Sequence, residues 1–115
     1  MSQNAVNNFI SLLLSRNIHD LVVTYYDESV EITLNKNIQT NKKLAGMNLL
    51  LQTLSYMQIL QFKVVDIEHS DNKLSYTIFL ITKNQNNIID FSKHHIVNTW
   101  KNNLIYRHNH LITND

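Results

Sequence analysis

Four histidines, an asparagine and an arginine stand close together near the end of the chain, where His94, His95, Asn98, Arg107, His108 and His110 fall on two successive strand-like runs. A neutral imidazole carries one donor and one acceptor and titrates near neutral pH, so such a group can move protons, ligate a metal or respond to acid. If Asn102-Asn103 closes the two runs as a two-residue turn, the cross-strand partners are Trp100 with Ile105, Asn98 with Arg107, Val97 with His108 and His95 with His110. This register predicts that His95, His108 and His110 share one face. Their spacing is compatible with three imidazoles on a metal, although no fourth ligand is evident, or with a polar, pH-sensitive contact surface. The other face carries His94, Asn98 and Trp100: one titratable group, one neutral donor and one aromatic wall. Arg107 holds a carboxylate ligand if it points inward and is solvated if it points outward. A slip of one residue would exchange the two faces.

Further groups stand at the end of the second helical pattern. Tyr25 and Tyr26 offer aromatic packing with a hydroxyl to spare, and Asp27 joins His94 as a candidate for taking a proton. Other chemistries are excluded by composition. The chain of 115 residues has no Cys, which removes disulfides, thiolate metal sites and a cysteine nucleophile. Its one Gly, Gly46, cannot make a phosphate-cradling loop, and no nucleotide-binding, serine-nucleophile or zinc-protease motif occurs, so no cofactor is expected. A net charge of +1 supplies no field for nucleic acid. No apolar run reaches the roughly 20 residues of a membrane span, and the first residues lack the pattern of a leader, so a cytoplasmic protein is expected.

The elements that position these groups are legible as periodicities. Over 3–15, Val6, Phe9, Ile10, Leu13 and Leu14 make one helical stripe with Ser2 as its N-cap, and Ile18, Leu21, Val22 and Tyr25 make a second, shorter one. Residues 29–35 alternate strictly, as a strand with one wet face does. The polar stretch 36–43 reads as a loop, and 41–56 reads as a third helix burying Leu44, Met47, Leu50, Leu51 and Leu54, with Gly46 inside it. Strand-like runs follow at 61–69, 73–83, 88–100 and 104–113. Asn, present 17 times, takes the turn positions that Gly and Pro leave empty, because it tolerates positive φ. The expected fold is a single α+β domain over 1–115, a curved antiparallel sheet wrapped around three helices from the N-terminal half.

That order of elements resembles the nuclear-transport-factor-2-like superfamily, which includes ketosteroid isomerase and the SnoaL-like polyketide cyclases. Three segments carry the likeness: Tyr25-Tyr26-Asp27-Glu28-Ser29-Val30-Glu31 at the entry to the first strand, Leu44-Ala45-Gly46-Met47-Asn48-Leu49-Leu50 in the third helix, and Ile96-Val97-Asn98-Thr99-Trp100-Lys101 with the hairpin after it. The resemblance implies a cone-shaped roll with a mostly apolar pocket, and pairing of two copies through the outer sheet face. It also places the isomerase's acid and base positions on Phe9 or Asn8, on Ile32, Thr33 or Asn35, and on Asn98, none of which supplies an acid or base. The expectation is therefore a domain that binds a small apolar or amphipathic molecule near Asn98, Trp100, Tyr25, Tyr26 and Arg107. The alternatives are a SnoaL-like cyclase, isomerase or dehydratase with a different acid-base residue, and a dimerising interaction domain.

Overall fold

The computed structural model describes residues 2–43 and 58–114. Helix α1 spans Gln3–Leu14, and the Ser2 hydroxyl accepts from the Ala5 amide as its cap. Arg16, at φ 60°, turns the chain into α2, Ile18–Tyr25, which is capped by the Asn17 side chain. The apolar stripes of the two helices bury Val6, Phe9, Leu13, Leu21, Val22 and Tyr25. Each fully buried large side chain of this kind contributes roughly 1.5–3 kcal/mol, and that burial docks the helices on the sheet.

Six strands make that sheet: β1 Tyr26–Leu34, β2 Asn37–Thr40, β3 Gln58–Ser70, β4 Lys73–Lys83, β5 Ile89–Lys101 and β6 Leu104–Thr113. Their spatial order is β2-β1-β6-β5-β4-β3. All neighbours are antiparallel except β1 and β6, which run parallel, so the sheet is mixed rather than purely antiparallel. The expected third helix falls mostly outside the described residues, as does Gly46.

Further sequence expectations need correction. Part of the predicted loop 36–43 is strand β2, joined to β1 through Asn35 and Lys36, both at positive φ. Lysine is an uncommon residue at such a turn, which hides the hairpin from a reading that looks for Gly or Asn pairs. Tyr26 and Asp27 are not the tail of the second helix, because the chain passes from α2 into β1 with no intervening loop. This abrupt change lets two adjacent tyrosines both point inward, one from a helix and one from a strand.

The β5–β6 hairpin carries the correction that matters most. Asn102 and Asn103 both have positive φ, and Trp100 pairs with Ile105 as the two-residue turn predicts. The register then shifts, and Thr99 pairs with Arg107, Asn98 with His108 and Ile96 with His110. Tyr106 is the extra residue of a β-bulge, which breaks the alternation of β6. Beyond the bulge every side chain of β6 faces opposite to the regular register: His108 and His110 point into the cone and Arg107 points out.

Candidate functional site

Above and below the bulge the cone is filled differently. At the hairpin end, Trp100 packs edge-on against Phe9 with ring centroids 5.5 Å apart and lies 5.5 Å from Tyr25. The Tyr25 hydroxyl oxygen accepts from the Asn8 side-chain amide at 2.6 Å. Trp100 and Tyr25 are both core, and neither is among the described lining residues of the cavity that follows. Trp100 Nε1 is buried without a hydrogen-bond partner among the described residues.

Past the bulge the interior opens into a cavity of about 130 Å³. Its described walls come from both helices (Leu13, Leu21, Val22), from β1 (Tyr26, Ile32) and from the inward residues of β4, β5 and β6. Three imidazoles and two phenols supply the polar atoms of this otherwise apolar lining: His94, His108, His110, Tyr26 and Tyr76. No carboxylate, lysine or arginine is among the described lining residues.

These polar groups bond to one another in sequence. Tyr76 donates its hydroxyl to Asn98 Oδ1 at 3.0 Å, and Asn98, with no exposed surface, presents Nδ2 to His108 Nδ1 at 3.0 Å. Tyr26 Oη lies 2.6 Å from the same His108 nitrogen. His108 Nε2 meets His110 Nδ1 at 3.1 Å, His110 Nε2 meets His94 Nδ1 at 2.7 Å, and His94 Nε2 meets Ser92 Oγ at 2.9 Å. Both nitrogens of each ring are therefore engaged, as buried polar groups must be if they are not to cost about 1–3 kcal/mol apiece.

The chain also fixes its own protonation. With the Asn98 amide donating, His108 Nδ1 is an acceptor, so its proton sits on Nε2 and the same assignment passes to His110 and then to His94. Burial opposes the charged form of all three. It lowers His94, pulls His108 down to about 4, and takes His110, with its two imidazole neighbours adding to the effect, to about 2. Burial likewise raises the Tyr26 and Tyr76 hydroxyls, so both phenols stay protonated at neutral pH.

The remaining candidates stand elsewhere. His95 is on the outer face beside Thr77 Oγ1 at 3.3 Å, so the predicted trio with His108 and His110 does not form, and His94 takes its place. The new trio is linked ring to ring, whereas zinc ligands converge on one point about 2.0–2.1 Å away. No group of three His, Asp or Glu among the described residues has a metal-holding arrangement. Arg107 is exposed and lies with Asp27, Glu31 and Lys101 around a shallow outer hollow. Asp27 accepts from the Ser29 amide at 2.8 Å within β1 and lines the outer hollow rather than the cone.

Sequence reasoning missed Tyr76, Ser92 and the bulge. One signal for the bulge was present: Ile105 and Ile112 are seven residues apart, which in a regular strand puts one of them outside, yet both face inward.

No family model matches the sequence, and no curated protein matches it either. Solved structures do resemble it. A protein from Mesorhizobium loti whose name proposes a SnoaL-like polyketide cyclase superposes with a TM-score of 0.83 at 10% identity, over 96% of this chain and 98% of that one. A nuclear-transport-factor-2-like protein of unknown function from Cytophaga hutchinsonii gives 0.75 at 8% identity, over 96% and 98%. A Rhodopseudomonas palustris protein whose name proposes an isomerase gives 0.73 at 10% identity, over 97% and 91%. Identities this low speak for architecture alone. With two helices among the described residues packed against a curved, unclosed sheet, the chain has the nuclear-transport-factor-2-like fold.

Proposed function

We propose that the cone binds a small, uncharged, mostly apolar molecule, with its one polar group turned toward Tyr26, Tyr76 and the histidines. The observation that carries this reading is the cavity itself: apolar walls, a cluster of hydroxyl and imidazole groups at one side, and no charged side chain in the described lining. Its volume of about 130 Å³ limits the occupant to about one ring, since an engineered apolar cavity of roughly 150 Å³ holds benzene. A molecule with a hydroxyl would gain a hydrogen bond that benzene lacks, because each tyrosine oxygen keeps an acceptor lone pair to which that hydroxyl can donate.

The test is a titration with phenol and with benzene, followed by amide and methyl NMR. Phenol is expected to shift the signals of Ile78, Ile96 and His108 and to bind more tightly than benzene, and filling the cavity with Ile96→Phe should remove both effects. Saturating phenol with no shift at these residues would sink the reading.

Proton-transfer chemistry is the second reading, favoured by the buried, acid-shifted His94 and its two neighbours. Asp27 has no part in it. A homodimer through the outer sheet face belongs to the first reading as well. What supports it is the apolar patch there, where Phe91 is exposed and stacks on Phe79 at 6.1 Å. Native mass spectrometry reads subunit number and any co-purified molecule together.

A further inference from the structure

We propose that Tyr26, His108, His110, His94 and Ser92 form a proton relay between the cavity and the rim of the cone, with Asn98 as the positioning residue that sets its direction. The geometry is a continuous series of donor–acceptor contacts of 2.6, 3.1, 2.7 and 2.9 Å. Its inner end, Tyr26, lines the cavity, and its outer end, Ser92, is half-buried between the exposed Phe91 and Lys93. An imidazole accepts on one nitrogen while releasing from the other, so three in series can pass a proton with no ring carrying a net charge at the end.

The transfer balances. A ligand in the cavity gives a proton to the Tyr26 oxygen as Tyr26 gives its own to His108 Nδ1. His108 Nε2–H moves to His110 Nδ1, His110 Nε2–H to His94 Nδ1, and His94 Nε2–H to Ser92 Oγ, whose own proton leaves to solvent water. The ligand is one proton short and the water one richer. Tyr26 and Ser92 are unchanged, and the three rings have moved from the Nε2–H to the Nδ1–H form.

In that second form His108 Nδ1–H faces the Asn98 Nδ2 donor, 3.0 Å away, so the amide resists it and favours return. The reset brings a proton in from the rim to the cavity. The device therefore fits a reaction that takes a proton from one atom of the bound molecule and returns one to another. This use rests on the pocket reading above, but the relay is tested without any ligand.

In wild-type protein labelled with 15N-histidine, all three rings are expected as neutral Nε2–H tautomers, with 15N–15N couplings across the His108–His110 and His110–His94 contacts. Absence of the couplings would overturn the chain. The exchange of the His108 Nε2 proton with solvent then tests transport. Ser92→Ala, a change at the rim, should slow it roughly tenfold, the effect of about one lost hydrogen bond on the barrier. A merely structural Ser92 would leave that rate unchanged or, by loosening the strand, raise it, and either result overturns the relay. Failure of phenol to bind, with these results intact, would remove the pocket reading and leave the relay standing.

Discussion

The same two strands, β5 and β6, build two unlike interiors on either side of one bulge. Toward the turn, Trp100 and Ile105 join Phe9 and Tyr25 in a solid aromatic plug. Past Tyr106, the strands present imidazoles around an open cavity. The plug is held mainly by area and shape, with the Asn8–Tyr25 hydrogen bond at its edge, and its indole nitrogen has no partner among the described residues. The histidine half is held by donor–acceptor matching, in which each group is satisfied only because its neighbour has the complementary form. The first kind of interior is sensitive to volume and the second to protonation.

The largest effect should come from attacking the boundary between them. Deleting Tyr106 alone turns the bulge into a regular strand but keeps Thr99 opposite Arg107, so His108 and His110 stay inside. Deleting Tyr106 and Arg107 together puts both histidines on the outer face and the wrong side chains inside. The single deletion is expected to fold with a modest loss of stability and the double deletion not to fold, as judged by circular dichroism and heteronuclear NMR. Survival of the double deletion with an intact core would show that the register is not what places the histidines.

Next in size is a cavity in the plug. Trp100→Ala should cost about 3–5 kcal/mol in urea unfolding, as large aromatic truncations do, with no change in the tautomers of the three histidines. A change there would mean the two halves are coupled across the bulge.

Acid should sharpen the contrast from the other side. The unfolded chain takes up a proton at His108 below about 6.5, while the folded protein refuses it until about 4. The stabilisation is complete above that interval and is lost as pH falls through it, by about 3 kcal/mol for this one ring. Urea unfolding at pH 7 and pH 4.5 should show the loss in wild type and a smaller one in His108→Gln. Equal slopes for the two proteins would remove His108 as the origin.

Most of the architecture was legible because it is periodic. The stripes of α1 and α2, the long alternating strands and the Asn102-Asn103 turn follow from spacing and from the tolerance of asparagine for positive φ. The site was only half legible. Asn98, His94 and Trp100 fall on the inner face as their alternation on β5 requires, because β5 keeps its period. His108 and His110 do not follow from β6, since a single inserted residue inverts every position after it, and the pattern of the strand names no residue as the insertion. Tyr76 and Ser92 had no signal of their own: a tyrosine and a serine in strands are ordinary until the partners opposite them are known.

The parallel pairing of β1 with β6 has a consequence for synthesis. Residues as far apart in sequence as Tyr26 and Ile105 must meet, and β6 lies in the interior of the sheet although it is the last of the six strands to leave the ribosome. Until it does, β1–β2 and the β3–β4–β5 meander are two separate pieces with open edges, and they lack the His108 partner of Tyr26 and the His110 partner of His94. A nascent chain should therefore wait for β6 before the cone can close, and folding should be slow because its decisive pairing joins segments far apart in sequence.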